Sequence, residues 1–401
     1  MVTNESIHQF RTEVAAELIK RLLPFWSEKT IDEENGGFYG QITNGLTVKK
    51  AAAKSCVLNS RILWTFASAY RIFKDNAYRI MAERAYHYLQ NHFWDKQYYG
   101  LYFMLDYRGQ VIDSRKQLYN LAFGIYGLSE YYRATGDEKS LIRAIQLYYL
   151  IEEHLSDPNH QGYFEAGSRD WGFVKEMRLS ERDLNAKKTM NSHLHLMEAY
   201  TNLLRVWDSD RLRHSLEQLI NLMVTRILNR ETFHFNLFFD ETWNSKLNLI
   251  SLGHDIEGSW LLTEAATVLG DEMLFDMIKD VSVKMARKVY ETGIDRENGG
   301  LYNELIDGVV RDPVKVWWPQ CEAMVGLINA FQLTEEEVFL EAASQIWKFI
   351  DRFMLDRDNG EWFGEVSEDG RPNHSYYKVG PWKCPYHNGR ACMEVMLRLG
   401  K

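Results

Sequence analysis

Asp32-Glu33-Glu34-Asn35-Gly36-Gly37-Phe38-Tyr39-Gly40 is an acidic run that turns on Asn-Gly-Gly and leaves through aromatics. The chain repeats it as Asp295-Arg296-Glu297-Asn298-Gly299-Gly300-Leu301-Tyr302 and as Asp356-Arg357-Asp358-Asn359-Gly360-Glu361-Trp362-Phe363-Gly364. Shorter copies begin at Asp95, with Tyr99-Gly100-Leu101-Tyr102, and at Asp157, with Gly162-Tyr163-Phe164. A degenerate copy near Arg230 keeps the aromatic stretch Phe233 to Phe239 but lacks the Gly pair. The starts fall roughly 60 to 75 residues apart, and a regular internal period marks a repeat architecture.

Each unit reads alike. Asn-Gly-Gly permits positive φ and the flanking aromatics suit strands, so the run predicts a short β-hairpin. A helical period follows, then a polar turn and a second helix. At Gly136-Asp137 and Gly270-Asp271, Gly ends one helix and Asp caps the next. Six such units supply twelve helices. The expected fold is all-α: an (α/α)6 barrel (toroid) with short β-hairpins between repeats, running through 1–401 as a single domain. An open solenoid is the competing architecture; the count of six and the polar start at Glu5 favour closure. Segments 187–206 and 317–332 are apolar on most faces and should form the inner ring. Segments 138–154, 209–228 and 271–290 carry charge on one face and should be outer.

Composition narrows the function. With only 7 prolines and no Ser/Gly/Pro-rich linker, no domain boundary is visible. A net charge of −9 without a basic run argues against nucleic acid and anionic membrane as partners. The start, Met1 to Ser6, lacks the charged-then-apolar pattern of a secretory signal, and no segment has the apolar length of a membrane span. Cys56, Cys321, Cys384 and Cys392 form no C-x-x-C pair and read as reduced thiols, three of them on inner helices. A cytoplasmic monomer is expected. The 12 Trp, 22 Tyr and 20 Phe exceed what a core needs, so some should line a cleft, where aromatic faces can stack on sugar rings.

The inner helices open with polar clusters: Asn59-Ser60-Arg61; Gln117, Tyr119 and Asn120; Asn191, His193 and His195; His254, Asp255 and Glu257; Trp317-Trp318-Pro319-Gln320-Cys321-Glu322; and Trp382, Lys383, Tyr386, His387, Asn388 and Arg390. In a closed toroid these starts meet at one end. Buried polar groups are costly without partners, so six coincident exceptions to apolar patterning point to a pocket. Asn191 and His195 share a helix face, as do His254 and Glu257. His193 faces elsewhere and reads as structural, and the eight histidines outside these clusters read as surface or structural. His195, His254 and Glu257 could offer three metal ligands, but the spacing is not that of a zinc site and arginines stand nearby, so no metal is expected. No Gly-x-Ser-x-Gly elbow or phosphate loop is present, and no cofactor is expected. Two imidazoles at a planar intermediate can deprotonate one face and reprotonate the other, inverting a carbon beside a carbonyl, while Arg61 steadies the enediolate oxygen.

These residues resemble the N-acylglucosamine 2-epimerase superfamily, and most closely its bacterial branch acting on cellobiose. The resemblance runs nearly end to end. It is carried by Ser60-Arg61-Ile62-Leu63-Trp64, Met190-Asn191 with Leu194-His195-Leu196, Gly253-His254-Asp255-Ile256-Glu257, Trp317-Trp318-Pro319-Gln320, and Gly380-Pro381-Trp382-Lys383-Cys384-Pro385-Tyr386-His387-Asn388-Gly389-Arg390. It implies reversible C2 epimerisation of the reducing-end sugar of β-1,4-linked disaccharides such as cellobiose, lactose or mannobiose. The implied route is ring opening, a cis-enediolate and reprotonation. Carried over by motif, His254 and His387 look like the acid/base pair at C2 and His195 like the ring-opening group. Glu257 would orient or tune a histidine, Arg61 would stabilise the enediolate, and Asn191 would bond the substrate. Tyr119 is a further contact, and Trp382 with Trp317 or Trp318 would be sugar platforms. Asn59 departs from the pattern, where relatives often carry His. A monosaccharide isomerase of the same superfamily and a catalytically silent sugar-binding toroid are the other readings.

Overall fold

The computed structural model describes residues 3–400. Six long helices form an inner ring: α3 (Cys56–Phe73), α5 (Leu118–Thr135), α7 (Met190–Leu204), α9 (Leu252–Leu269), α11 (Trp317–Thr334) and α13 (Tyr386–Arg398). Each packs on the next, and α13 packs back on α3, so the ring is closed. Outside them run α4 (Asn76–Tyr88), α6 (Glu138–His154), α8 (Asp210–Leu222), α10 (Glu272–Thr292) and α12 (Glu337–Phe349). The remaining outer position is filled by α1 (Asn4–Glu17), which passes through a π-helical turn into α2 (Leu23–Lys29). The chain is therefore the expected (α/α)6 toroid.

Burial follows position. Every residue of α3 from Cys56 to Ala69 is buried, because outer helices cover one side and the opposite ring wall covers the other. Helix α8 buries only the stripe Leu212, Ser215, Leu216, Leu219, Ile220 and Leu222, the spacing of a helix with one covered face. Gly136 and Gly270 end inner helices in the left-handed region, and the Asp137 and Asp271 carboxylates accept N–H bonds from Ser140 and Leu274 at 2.8 and 2.9 Å.

The repeated run is a minimal hairpin. Each copy is a turn closed by one antiparallel bridge: Ile31 to Phe38, Trp94 to Leu101, Ser156 to Tyr163, Leu228 to Phe235, Ile294 to Leu301 and Leu355 to Trp362. Its first residue organises it. Asp32 accepts the N–H groups of Glu34 and Asn35 at 3.2 and 2.9 Å, and Asp95, Asp157, Asn229, Asp295 and Asp356 repeat the pattern. Gly37 must be glycine: its φ is +63°, and a Cβ would stand 2.7 Å from the Tyr88 ring.

The short hairpin expected in each unit is present, and further strand pairing joins neighbouring units. The strand before each inner helix pairs with the strand that follows the next turn. Thus β2 (Lys54–Ser55) pairs with β3 (Met104–Leu105), β5 (Lys116–Gln117) with β6 (Ala166–Gly167), and β7 (Lys188–Thr189) with β8 (Phe238–Phe239). Similarly, β9 (Ile250–Ser251) pairs with β10 (Glu304–Ile306), and β12 (Lys315–Val316) with β13 (Glu365–Val366). Finally β14 (Tyr377–Val379) pairs with β1 (Ile42–Thr43), joining the last unit to the first. Within units, β3 also pairs with β4 (Val111–Asp113) and β10 with β11 (Val309–Asp312), and single bridges from Ile42 to Val48, Gly167 to Phe173, Phe239 to Ser245 and Val366 to Pro372 stand at the same place in the other four.

A buried ion pair ties turn to ring. Lys54, Lys116, Lys188, Lys315 and Lys378 reach Asp32, Asp95, Asp157, Asp295 and Asp356 at 2.7, 3.0, 2.7, 2.9 and 2.8 Å, with every lysine at 1% exposure or less. The fourth unit has Asn229 and Ile250 at the corresponding places, so charge and countercharge are absent together. Among the described residues no helix is long and apolar enough to cross a membrane.

Removing one member of such a pair strands the other charge. Lys315→Met should therefore cost about 3–5 kcal/mol of unfolding free energy in urea titration. The double change Lys315→Ile with Asp295→Asn copies the fourth unit and should lose markedly less. Equal losses in the single and double variants would show that the pair is not the tie.

Candidate active site

The starts of the inner helices open on one cavity of about 1010 Å³. Arg61 of α3, Tyr119 of α5, Asn191 and His195 of α7, His254 and Glu257 of α9, Trp317 and Trp318 of α11, His387 of α13 and Trp382 ahead of it all line this space. All ten residues singled out in the sequence are thus brought together. A second recess of about 630 Å³ shares Tyr119, Arg182, Asn191, Tyr376 and Trp382 with it and extends to Asn373 and Ser375.

Each histidine is held by its Nδ1. His387 Nδ1 lies 2.7 Å from Glu322 Oε1, His195 Nδ1 2.8 Å from Glu198 Oε2, and His254 Nδ1 2.7 Å from Ser251 Oγ. Nδ1–H of His387 and His195 donates to its glutamate oxygen, which leaves the lone pair on Nε2. Ser251 can either donate or accept, so His254 can present either tautomer. Trp318 lies against both C2-directed candidates, with ring centroids 4.7 Å from His254 and 5.4 Å from His387. Burial pushes His254 down to about 3, and it also holds His387 well below and His195 below the ordinary imidazole value. All three are neutral at pH 7.

Beneath them sits one guanidinium among three carboxylates. Arg390 donates to Glu257 Oε1 at 2.6 Å and Glu322 Oε1 at 2.8 Å, and it also bonds Glu198 and the Tyr386 hydroxyl. Burial opposes the charge on Glu198, but Arg390, His195 and Tyr386 outweigh it and hold Glu198 down at about 2. Burial and the neighbouring Glu322 push Glu257 well above the carboxylate range. The expected contact between Glu257 and a histidine is made by other groups. Glu257 stands 3.9 Å from His387 and 4.0 Å from His195, whereas Glu322 and Glu198 make the bonds. Glu257 Oε2 and Asn191 Oδ1 are buried without a protein partner, as expected of groups awaiting a ligand.

Arg61 lies over Phe123 and Tyr386, 4.2 and 4.9 Å from their centroids, and donates to the Tyr119 hydroxyl at 2.5 Å. The tandem tryptophans separate by environment. Trp317 is buried with the Lys383 ammonium 4.3 Å over its ring, while Trp318 is half-buried against both histidines. Gly253 makes room for it, since a Cβ there would meet the Trp318 ring at 2.6 Å.

Other members of the polar clusters are anchors. His193 Nε2 accepts the Tyr163 N–H at 2.9 Å, Asp255 the Phe235 N–H at 2.8 Å, and Gln320 the Leu301 N–H at 2.7 Å. All three join an inner helix to a turn. Asn59 bonds the Ser55 carbonyl within its own helix. Glu198 was missed in the sequence, although it follows His195 on the same face of an apolar helix, the signal that could have found it. Glu322, Tyr386 and Arg390 were visible as cluster members but had no role. Among the described residues, Glu257, Glu322 and His387 bring potential metal ligand atoms within 4.8 Å of one another, but Arg390 already occupies Oε1 of both carboxylates with positive charge.

A closed helical toroid with an aromatic, histidine-bearing cavity at one end defines the class of protein. The family model for N-acylglucosamine 2-epimerase matches residues 37–391, and the chain belongs to that family of carbohydrate epimerases. It is 45% identical over 386 residues to the cellobiose 2-epimerase of Bacteroides fragilis, covering 96% of this chain and 98% of that one. It is 41% identical to that of Ruminococcus albus, covering 96% and 98%. The solved cellobiose 2-epimerase of Bacillus thermoamylovorans superposes with a TM-score of 0.93 at 40% identity, covering 98% of this chain and 100% of that one.

His193 gives a pH test of the anchors. Its Nδ1 bonds the Thr189 carbonyl at 2.7 Å, so both nitrogens are satisfied only in the neutral ring, and burial pushes it down to about 4. The unfolded imidazole protonates near 6.5, so this stability is present above that pH and lost as pH falls toward 4. The loss is on the order of 3 kcal/mol. His193→Gln should flatten the dependence of the melting temperature between pH 6.5 and 4; an unchanged slope would remove His193 as its source.

Proposed function

We propose that the protein reversibly epimerises C2 of the reducing-end glucose or mannose of β-1,4-linked disaccharides. The observation that carries the reading is a pair of neutral imidazoles, His254 and His387, both against Trp318 with Nδ1 tied and Nε2 available. Full-length relatives named for cellobiose epimerisation support the substrate class.

The steps follow from the groups. His195 Nε2 takes the proton from the anomeric hydroxyl, the C1–O5 bond breaks, and the same proton passes to O5. The carbonyl at C1 acidifies C2–H. One of His254 and His387 removes that proton to give a cis-enediolate, whose developing oxygen charge faces the Arg61 guanidinium. After rotation about C2–C3 the other imidazole, its Nε2 protonated from solvent, returns a proton to C2, the first imidazolium gives its proton up to solvent, and ring closure reverses the first step. No electron leaves the sugar, so the chemistry needs no redox partner. The same residues serve both directions, because each imidazole can give or take.

Trp382 borders both recesses, which supports a sugar on each side of it. A single monosaccharide would leave the outer recess unused. The buried, unpaired thiols are in keeping with a cytoplasmic enzyme.

His254→Ala and His387→Ala should each lower kcat on cellobiose by about 10²–10⁴-fold with the circular dichroism spectrum retained. Activity close to wild type in either would remove that residue from the C2 pair. Exhaustive dialysis against EDTA, without added nucleotide, should leave the rate unchanged; loss restored by one divalent ion would overturn the histidine-only route. Trp382→Ala should lower kcat/KM for cellobiose far more than for glucose. Better kinetics on glucose or mannose than on any disaccharide would favour a monosaccharide isomerase, and no C2 exchange with any sugar in D2O a silent binder.

A further inference from the structure

We propose that Glu198 is the positioning residue for ring opening: it fixes His195 as the Nδ1–H tautomer and steadies the imidazolium formed when Nε2 takes the anomeric proton. The inference rests on the ring-opening role of His195 given above.

The geometry assigns each oxygen of Glu198 a separate task. Oε2 meets His195 Nδ1 at 2.8 Å. Oε1 accepts from the Tyr386 hydroxyl at 2.5 Å and from Arg390. Both donors come from α13, on the far side of the ring from α7, and neither can rotate away, since Tyr386 and Arg390 are fully buried. A carboxylate so pinned is an acceptor only, and its sole remaining donor is the imidazole. His195 is itself fixed against the Tyr119 and Phe123 rings, with centroids at 5.1 and 4.9 Å. Its Nε2 then faces the cavity with Glu257 Oε2, an atom without a protein partner, at 4.0 Å. That spacing is too long for a hydrogen bond, and it leaves the Nε2 lone pair free for a substrate hydroxyl.

The alternative is that Glu198 only balances the charge of Arg390. Glu257 and Glu322 bond the same guanidinium but make no bond to His195. Glu198 alone touches His195 Nδ1 among the three. An amide at this position could still accept from Nδ1–H, but it carries no charge to offset an imidazolium, and its NH2 could instead donate to Nδ1 and drive the proton to Nε2.

The test separates ring opening from proton transfer at C2. Glu198→Gln is assayed on cellobiose, on cellobiose deuterated at C2, and on 4-O-β-glucosyl-5-deoxyglucose. The last has neither the O5 of a pyranose nor a free O4 for a furanose, so it offers the aldehyde directly. Expected is a fall in kcat on cellobiose on the order of 10²-fold or more. The C2-deuterium isotope effect should shrink toward unity as ring opening becomes limiting, and C2 exchange on the acyclic sugar should stay near wild type. An equal loss on both sugars with an undiminished isotope effect would overturn the proposal. If the variant does not fold, Tyr386→Phe, which removes one donor to Oε1, is read the same way with a smaller loss expected. If the wild-type protein exchanges C2 of neither sugar, the proposed function falls instead. The positioning is then read from imidazole ¹⁵N shifts: a protonated Nδ1 of His195 in the wild type sustains it, and a protonated Nε2 overturns it.

Discussion

The buried Lys–Asp pair is the constraint on which the rest of the ring depends. An Asx turn can be formed by any Asp with two free N–H groups ahead of it, but nothing local directs the chain after it. The lysine does so, because its ammonium is buried with one carboxylate in reach. It brings the strand before an inner helix against the turn after an outer helix, and the helix start is fixed in consequence. Desolvating both charges is costly, and their attraction offsets the cost only in good geometry. The pair therefore specifies position more than it adds stability. The fourth unit makes the same joint without charge, which shows that the joint is a geometric requirement with more than one chemical solution.

Closure is what lets the helix starts become a site. With six inner helices converging, the positive ends of their dipoles point toward one space. That field favours an anionic enediolate and disfavours an added proton on an imidazole. It acts in the same direction as burial, which already keeps His254 and His387 neutral. A neutral imidazole is a competent base, and its conjugate acid in this setting is eager to return the proton. The same environment therefore serves both halves of a reversible epimerisation.

The polar floor of the cavity shows how such a site is kept from collapsing. One arginine satisfies three glutamates that come from three different inner helices, and two of those glutamates hold histidines. Strain at one member is transmitted to the others. Packed aromatics around Arg61 and Arg390 complete the shell, through ring faces that offer electrostatic attraction without donors that would compete.

Much of this was legible in the sequence for a physical reason. A repeat writes its period in the chain, and a buried inner helix writes its function as polar exceptions to an apolar pattern. The ring, its helix order and the ten cavity residues follow from those two signals. The sequence did not reveal what the turn pairs with, because strand partners lie one repeat away and a period cannot say which neighbour a strand meets. Nor did it separate Trp317 from Trp318, since adjacent residues on a helix differ only in where the neighbouring helices stand. Glu198 reads as one more acid until Tyr386 and Arg390 arrive from the other side of the ring. Local chemistry determined which residues could act; only closure of the toroid decided which of them touch, because contacts among residues so far apart in the chain exist only once the last helix packs on the first.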